Sequence, residues 1–318
     1  MDLFAGLKCK HIARKLSPTL PPASTSRTPS IPDRAMWKKS NGFMARLRQP
    51  FSSTESDVSF QQPSAIDVRR KCQHFRILVI GRTNAGKTTL LKKVCMSVED
   101  PEIFGPDGQK IDSNVVEGST DRGLHNIENQ LIFKSNPEFI FHDSRGFESG
   151  SSEETNKVKD FIARRAAAST LEDQLHAIWY CLPTGDTTRP LLKADEDFFD
   201  TDIRGKVPVI AIFTKFDGLA TRAFQELRDN GYSRSDSQQG KEQRAEQLLT
   251  TDFIEPLSSR KVPPSDYLRL ADMHKDTTNC NELMEKTAKA LTDDNLRLLF
   301  VSVQQNNINL CIQYAVGR

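Results

Sequence analysis

The chain has 318 residues, of which 37% are hydrophobic and 27% charged, with a formal net charge of +2. That length suits one large domain or two small ones, and it can bury a core without staples. The near-neutral total argues against a dedicated nucleic-acid reader, and no specific nucleic-acid partner is expected. No apolar run approaches the roughly 20 residues that span a bilayer, so no transmembrane segment is expected.

The charge is unevenly spread. Residues 1–70 hold 12 Lys and Arg against 5 Asp and Glu, and the remainder holds 32 against 37. Residues 17–65 are rich in Ser, Thr and Pro, a composition that cannot repay chain entropy by burial. A disordered basic leader over 1–70 is therefore expected, followed by a mildly acidic body over 71–318. The start, MDLFAGLKCKHIARKL, has no signal-peptide core, because Lys8, Lys10, Arg14 and Lys15 interrupt it. It reads either as a mitochondrial presequence or as a plain basic tail. Cysteines at 9, 72, 95, 181, 280 and 311 form no CxxC pair, and several sit inside apolar runs. Reduced thiols in a cytoplasmic protein are the expectation.

Order is expected to begin near Cys72. The run FRILVIG (75–81) is short, apolar and rich in β-branched residues, which predicts a strand buried on both faces. Further strands are predicted at 129–133, 138–143, 176–182, 207–214 and 296–303, with helices at 88–96, 156–169 and 192–200. Only KSNP separates NQLIF from EFIFHD, so that pair should be an antiparallel hairpin. The alternation predicts a doubly wound, mostly parallel α/β sheet with one antiparallel edge strand. The stretch 219–294 contains helical patterns split by SRSDSQQG and SSRKVPPSD, and is expected to be an inserted helical region.

The first predicted strand runs into Gly81-Arg82-Thr83-Asn84-Ala85-Gly86-Lys87-Thr88, the pattern G-x-x-x-x-G-K-[ST] between a strand and a helix. Glycines let the backbone wrap a phosphate, and successive N–H groups form an anion nest at a helix N-terminus. Lys87 would reach the β- and γ-phosphates, and Thr88 would give its hydroxyl to Mg²⁺. Ala85 and Thr89 complete the phosphate-binding set. The stretch resembles the phosphate loop of P-loop NTPases.

Asp143 ends the strand FIFHD and begins Asp143-Ser144-Arg145-Gly146, 55 residues after Thr88. A carboxylate there can hold Mg²⁺ through water, and the Gly146 N–H can approach a γ-phosphate. His142 is read as a packing or hydrogen-bonding residue. Further on, Thr214-Lys215-Phe216-Asp217 follows a strand. A carboxylate at Asp217 can accept from guanine N1 and N2 together, a pair of donors that adenine lacks. The Lys215 stem can cover the ring.

GRTNAGKT, DSRG and TKFD, in this order and each at a strand end, resemble three of the five motifs of a GTPase G domain. The resemblance lies closer to the Era/TrmE-like and septin-like branch than to Ras, and extends to fungal ribosome-binding-type G-domain proteins. It implies GTP and GDP as ligands, Mg²⁺ as cofactor, and a slow hydrolase that serves as a switch. It also implies a protein effector or a nucleotide-dependent homodimer as partner. A switch threonine is implied between 112 and 125, with Thr120 chosen and Ser119 as the alternative. Together with Lys87 and Gly146, Thr120 makes up the implied catalytic set, and it joins Thr88 and Asp143 at the metal. The fifth motif is placed at Ser302-Val303. Phe147 stands where Ras-like enzymes carry a glutamine, and it can neither donate nor accept a hydrogen bond. That leaves two readings, assisted hydrolysis or a GTP-binding scaffold with little turnover. Asn84 either helps to hold K⁺, as in related enzymes, or simply turns the loop.

Overall fold

In the computed structural model, residues 64–111, 126–144, 152–185, 190–304 and 311–312 are described. Strand β1 (Phe75–Gly81) is buried along its whole length and lies at the centre of the sheet. Its neighbours are β5 (Asn136–Asp143) and β6 (Ala177–Pro183), both parallel to it. Two more parallel strands follow, β7 (Val209–Thr214) and β8 (Asp266–Arg269). On the other side of β5 lie β4 (Gln130–Phe133), then β2 (Glu102–Phe104) and β3 (Lys110–Ile111), each antiparallel to its neighbour. The eight strands run in the order β3-β2-β4-β5-β1-β6-β7-β8.

The predicted hairpin is present as β4 and β5. The antiparallel edge holds three strands rather than one, because EIF and KI are too short for alternation to reveal them. The core strands read as continuous apolar runs because both faces are covered. On β1, Phe75, Ile77 and Val79 enter one core cluster and Leu78 and Ile80 enter the other, as the two-residue side-chain period requires. The first layer is closed by α1 (Ala65–Lys71), α2 (Lys87–Val94), α8 (Asn281–Ala290) and α9 (Asp294–Ser302). The second is closed by α3 (Ser152–Ala166), α4 (Lys193–Phe199), α5 (Phe216–Asp229) and α6 (Arg234–Leu249). A π-helical segment (Thr250–Ile254) and the short α7 (Glu255–Ser258) extend α6 over that second layer.

Three expectations are corrected. Residues 296–303 are not a strand but lie mainly in helix α9. Asp293 caps this helix by accepting from the N–H groups of Asn295 and Leu296. Leu296, Leu299 and Phe300 share the i, i+3, i+4 face that packs on the core. The segment 219–294 is not a purely helical insertion, because it supplies β8 to the sheet and α8 to the first core. Order begins before Cys72: α1 starts after Ser64, whose side chain and Asp67 form a reciprocal capping box. The rest of the leader, residues 1–63, lies outside the described residues.

Candidate functional site

The parallel strands β1, β5, β6, β7 and β8 all end at the same edge of the sheet, where an open α/β sheet presents its crevice. The turn after β1 is tightly specified. A Cβ on Gly81 would lie 2.5 Å from the Cys181 carbonyl oxygen of the neighbouring strand. Gly86 takes φ 83° at the N-cap of α2, a conformation that side chains resist. Asn84 sits at φ 60°, which asparagine tolerates better than most residues, so it has a conformational role whatever else it does.

The Lys87 amine folds back over this turn. Its Nζ donates to the Gly81 carbonyl at 3.0 Å and to the Arg82 carbonyl at 3.2 Å. It also lies 3.8 Å from Asp143 Oδ1, beyond hydrogen-bond reach. That oxygen is buried and has no hydrogen-bond partner. Burial pushes the Asp143 carboxyl up to about 6, against the opposing pull of Lys87. An inaccessible, under-satisfied carboxylate oxygen beside the Gly81–Lys87 turn fits a hard cation. Thr88 is exposed on the first turn of α2. No group of three or more His, Cys, Asp or Glu side chains gathers as a metal cluster among the described residues.

A cleft of about 700 Å³ opens beside the turn. One wall is Arg82, Asn84, Gly86 and Thr89; the other is Thr214, Lys215, Asp217 and Gly218. The two walls are joined at the back, where the Thr214 hydroxyl reaches the main chain of Ala85. Lys215 takes φ 57° and swings the backbone so that α5 starts directly behind it. Asp217 is exposed, and its Oδ1 accepts the Asp272 N–H at 3.1 Å. The far end of the cleft is closed by Leu270, Met273 and His274, from the loop after β8.

No protein-family model matches the chain, and no curated protein is similar enough to match it. The geometry of the cleft therefore carries the functional reading. Among the described residues, no helix is long and apolar enough to cross a membrane.

Of the sequence-predicted site residues, Gly81 to Thr89 form the turn and the start of α2. Asp143 lies beside it, and Thr214, Lys215 and Asp217 face it across the cleft. Ser302 and Val303 do not join them. Ser302 ends α9 and lines a separate shallow groove with Arg69 and Glu138, while Val303 is buried in the core. The fifth-motif placement rested on a strand at 296–303, and it falls with that strand. Thr120, Ser119, Arg145, Gly146 and Phe147 lie outside the described residues.

The loop Leu270–His274 was missed. Its signal was present in DYLRL, where Leu268 and Leu270 alternate with the more exposed Tyr267 and Arg269 just after the breaker SSRKVPPSD. His142, by contrast, is a buried hydrogen-bonding residue as expected, 2.8 Å from both Arg76 and the Ile127 carbonyl.

Proposed function

We propose that this chain has a P-loop NTPase fold and is a GTP-binding protein that hydrolyses GTP to GDP and phosphate as a switch. One observation carries the reading. The cleft brings Arg82, Asn84 and Gly86 of the turn and the Asp217 carboxylate to opposite walls, with Asp217 already oriented by the Asp272 N–H.

In this reading the Gly81–Thr89 backbone donates N–H groups to the phosphates, helped by the N-terminal end of α2. Lys87, now spent on two backbone carbonyls, is the cation that the phosphates would recruit. Asp143 and Thr88 would hold Mg²⁺, which neutralises charge on the phosphate oxygens when bound. Asp217 accepts from the guanine edge, and the Lys215 stem with Leu270 and Met273 provides apolar cover for the ring. A base without paired donors leaves the Asp217 carboxylate unmatched, and that mismatch sets the selectivity. The switch role calls for a partner that reads the bound nucleotide, either a protein effector or a second copy of the chain.

The test is calorimetric titration of the purified chain with GTP, GDP and ATP in Mg²⁺, followed by multiple-turnover phosphate release. GTP and GDP should bind and ATP should not. Equal affinity for ATP would remove the guanine reading, and no binding of any nucleotide would remove the whole proposal. Binding without phosphate release would leave a scaffold in place of a hydrolase.

A further inference from the structure

Arg82 lines the cleft, and its guanidinium is engaged by Asp195 and the chain just before α4. One nitrogen donates to Asp195 Oδ2 at 2.8 Å and to the Pro190 carbonyl at 2.9 Å. Asp195 lies on α4 and is only 2% exposed. Its Oδ2 also accepts the Leu192 N–H at 2.7 Å, and its Oδ1 accepts the Tyr180 hydroxyl at 2.8 Å. Tyr180 is fully buried on β6 and packs on Phe198 and Phe199 at ring distances of 4.8 and 5.0 Å. The Arg82 backbone is tied in as well, since its carbonyl accepts both the Lys87 amine at 3.2 Å and the Ala85 N–H at 3.1 Å.

We propose that Asp195 is a positioning residue for the phosphate-type turn, acting through Arg82, with Tyr180 fixing the carboxylate. The proposal rests on the nucleotide reading of the cleft and deepens it. A buried ion pair is a poor source of net stability, because desolvation offsets the attraction. What it does well is hold groups in one geometry. Here the held group is the second residue of the turn, and the carbonyl of that residue seats Lys87. The chain of contacts Tyr180–Asp195–Arg82–Lys87 runs from the middle of the sheet to the amine that the phosphates would recruit.

The outer side of α4 is fastened too. Arg260 donates to Glu196 at 2.6 Å and to Asp200 at 3.2 Å. The Val262 N–H adds a bond to the Phe199 carbonyl at 2.8 Å. The helix that carries Asp195 is therefore itself tied to the segment after α7.

The sign of one substitution separates positioning from simple charge. Asp195→Asn removes a negative charge beside a polyanion site, which on Coulomb grounds alone would tighten GTP. Positioning requires the opposite, a weakening of about tenfold, the scale of one charge-assisted hydrogen bond. Tyr180→Phe, which changes no charge and little volume, should weaken GTP in the same direction and less. On an Arg82→Ala background, Asp195→Asn should cost nothing further. In the nucleotide-free full chain, amide hydrogen exchange of residues 83–89 should speed up in both single variants. Tighter or unchanged GTP binding in Asp195→Asn would overturn the proposal. So would an undiminished Asp195→Asn effect on the Arg82→Ala background, or unchanged exchange at 83–89 in Tyr180→Phe. If the wild-type chain binds no nucleotide, the functional reading fails by itself, and the exchange measurement still decides the role of Asp195.

Discussion

The Thr214 hydroxyl donates to the Ala85 carbonyl at 2.8 Å, so the end of β7 is stitched to the turn after β1 across an intervening strand. Both residues are buried, Ala85 to 1% and Thr214 to 3% exposure. Thr214→Val keeps the shape and orphans that acceptor. It should cost about 1–2 kcal/mol of stability, the usual penalty for a buried unpaired carbonyl. Thr214→Ser should restore most of it. Urea unfolding of the two variants measures the difference, and equal stabilities would deny the bond any role.

Asp143→Asn should act in two directions at once. The carboxyl is held at about 6 mainly by burial, so in the free protein its charge is a cost. Removing that charge should raise stability by about 1 kcal/mol, a figure discounted for a side chain 32% exposed. The same change should abolish the Mg²⁺ dependence of GTP binding. Thermal unfolding and titrations with and without Mg²⁺ read the two effects separately.

Asp217→Asn should exchange guanine preference for xanthine. The amide presents donors where the carboxylate presented acceptors, and xanthine offers the matching carbonyl. GTP should weaken by at least tenfold, on the scale of one lost charged hydrogen bond, while XTP gains. Competition between the two nucleotides is the direct measurement. Unchanged GTP affinity would sink the base-reader role of Asp217.

Acid should loosen the protein through two buried histidines. His142 is pushed down to about 3 and His176 to about 4, in both cases mainly by burial. Arg76 faces both, donating from its guanidinium to His142 and from its backbone N–H to His176 Nδ1. Each ring is thus held neutral, with its other nitrogen on a backbone carbonyl. Both groups bind protons more weakly folded than unfolded. Their stabilising effect is whole above about 6.5 and is lost as pH falls from there toward 4. Asp143 works the other way, since its burial cost is relieved as pH falls through about 6. Melting temperature should therefore fall between pH 6.5 and 4.5, and fall more steeply in Asp143→Asn. A flat profile would contradict the neutral buried rings.

The turn after β1 was legible because its residues are contiguous and each answers a local demand. Gly81 must clear Cys181, Gly86 must adopt a positive φ, and Lys87 must follow at once. The central strands were legible for a similar reason, since burial on both faces leaves an unbroken apolar run. The last strand and last helix were confused because LRLLFVSV is apolar enough for either, and a capping Asp293 weighs less to the eye than six apolar letters in eight. Strand β8 escaped because an edge strand of four residues needs only alternate burial. The Arg82–Asp195 pair was beyond reach. It joins residues 113 apart in sequence, and neither lies in a pattern that calls for the other.

The free thiols have a lopsided distribution with a practical consequence. Cys72, Cys95, Cys181 and Cys280 all belong to the core beneath α1, α2, α8 and α9, and the opposite core contains none. Burial pushes all four up to about 12, so alkylating reagents find almost no thiolate while that layer stays shut. The rate at which these four are captured, read site by site and apart from half-exposed Cys311, is then a clock for the opening of one side of the sheet only. Since α2 carries Lys87 and Thr88, slower labelling with nucleotide present would time the opening of the helix that follows the turn, with no probe added to the molecule.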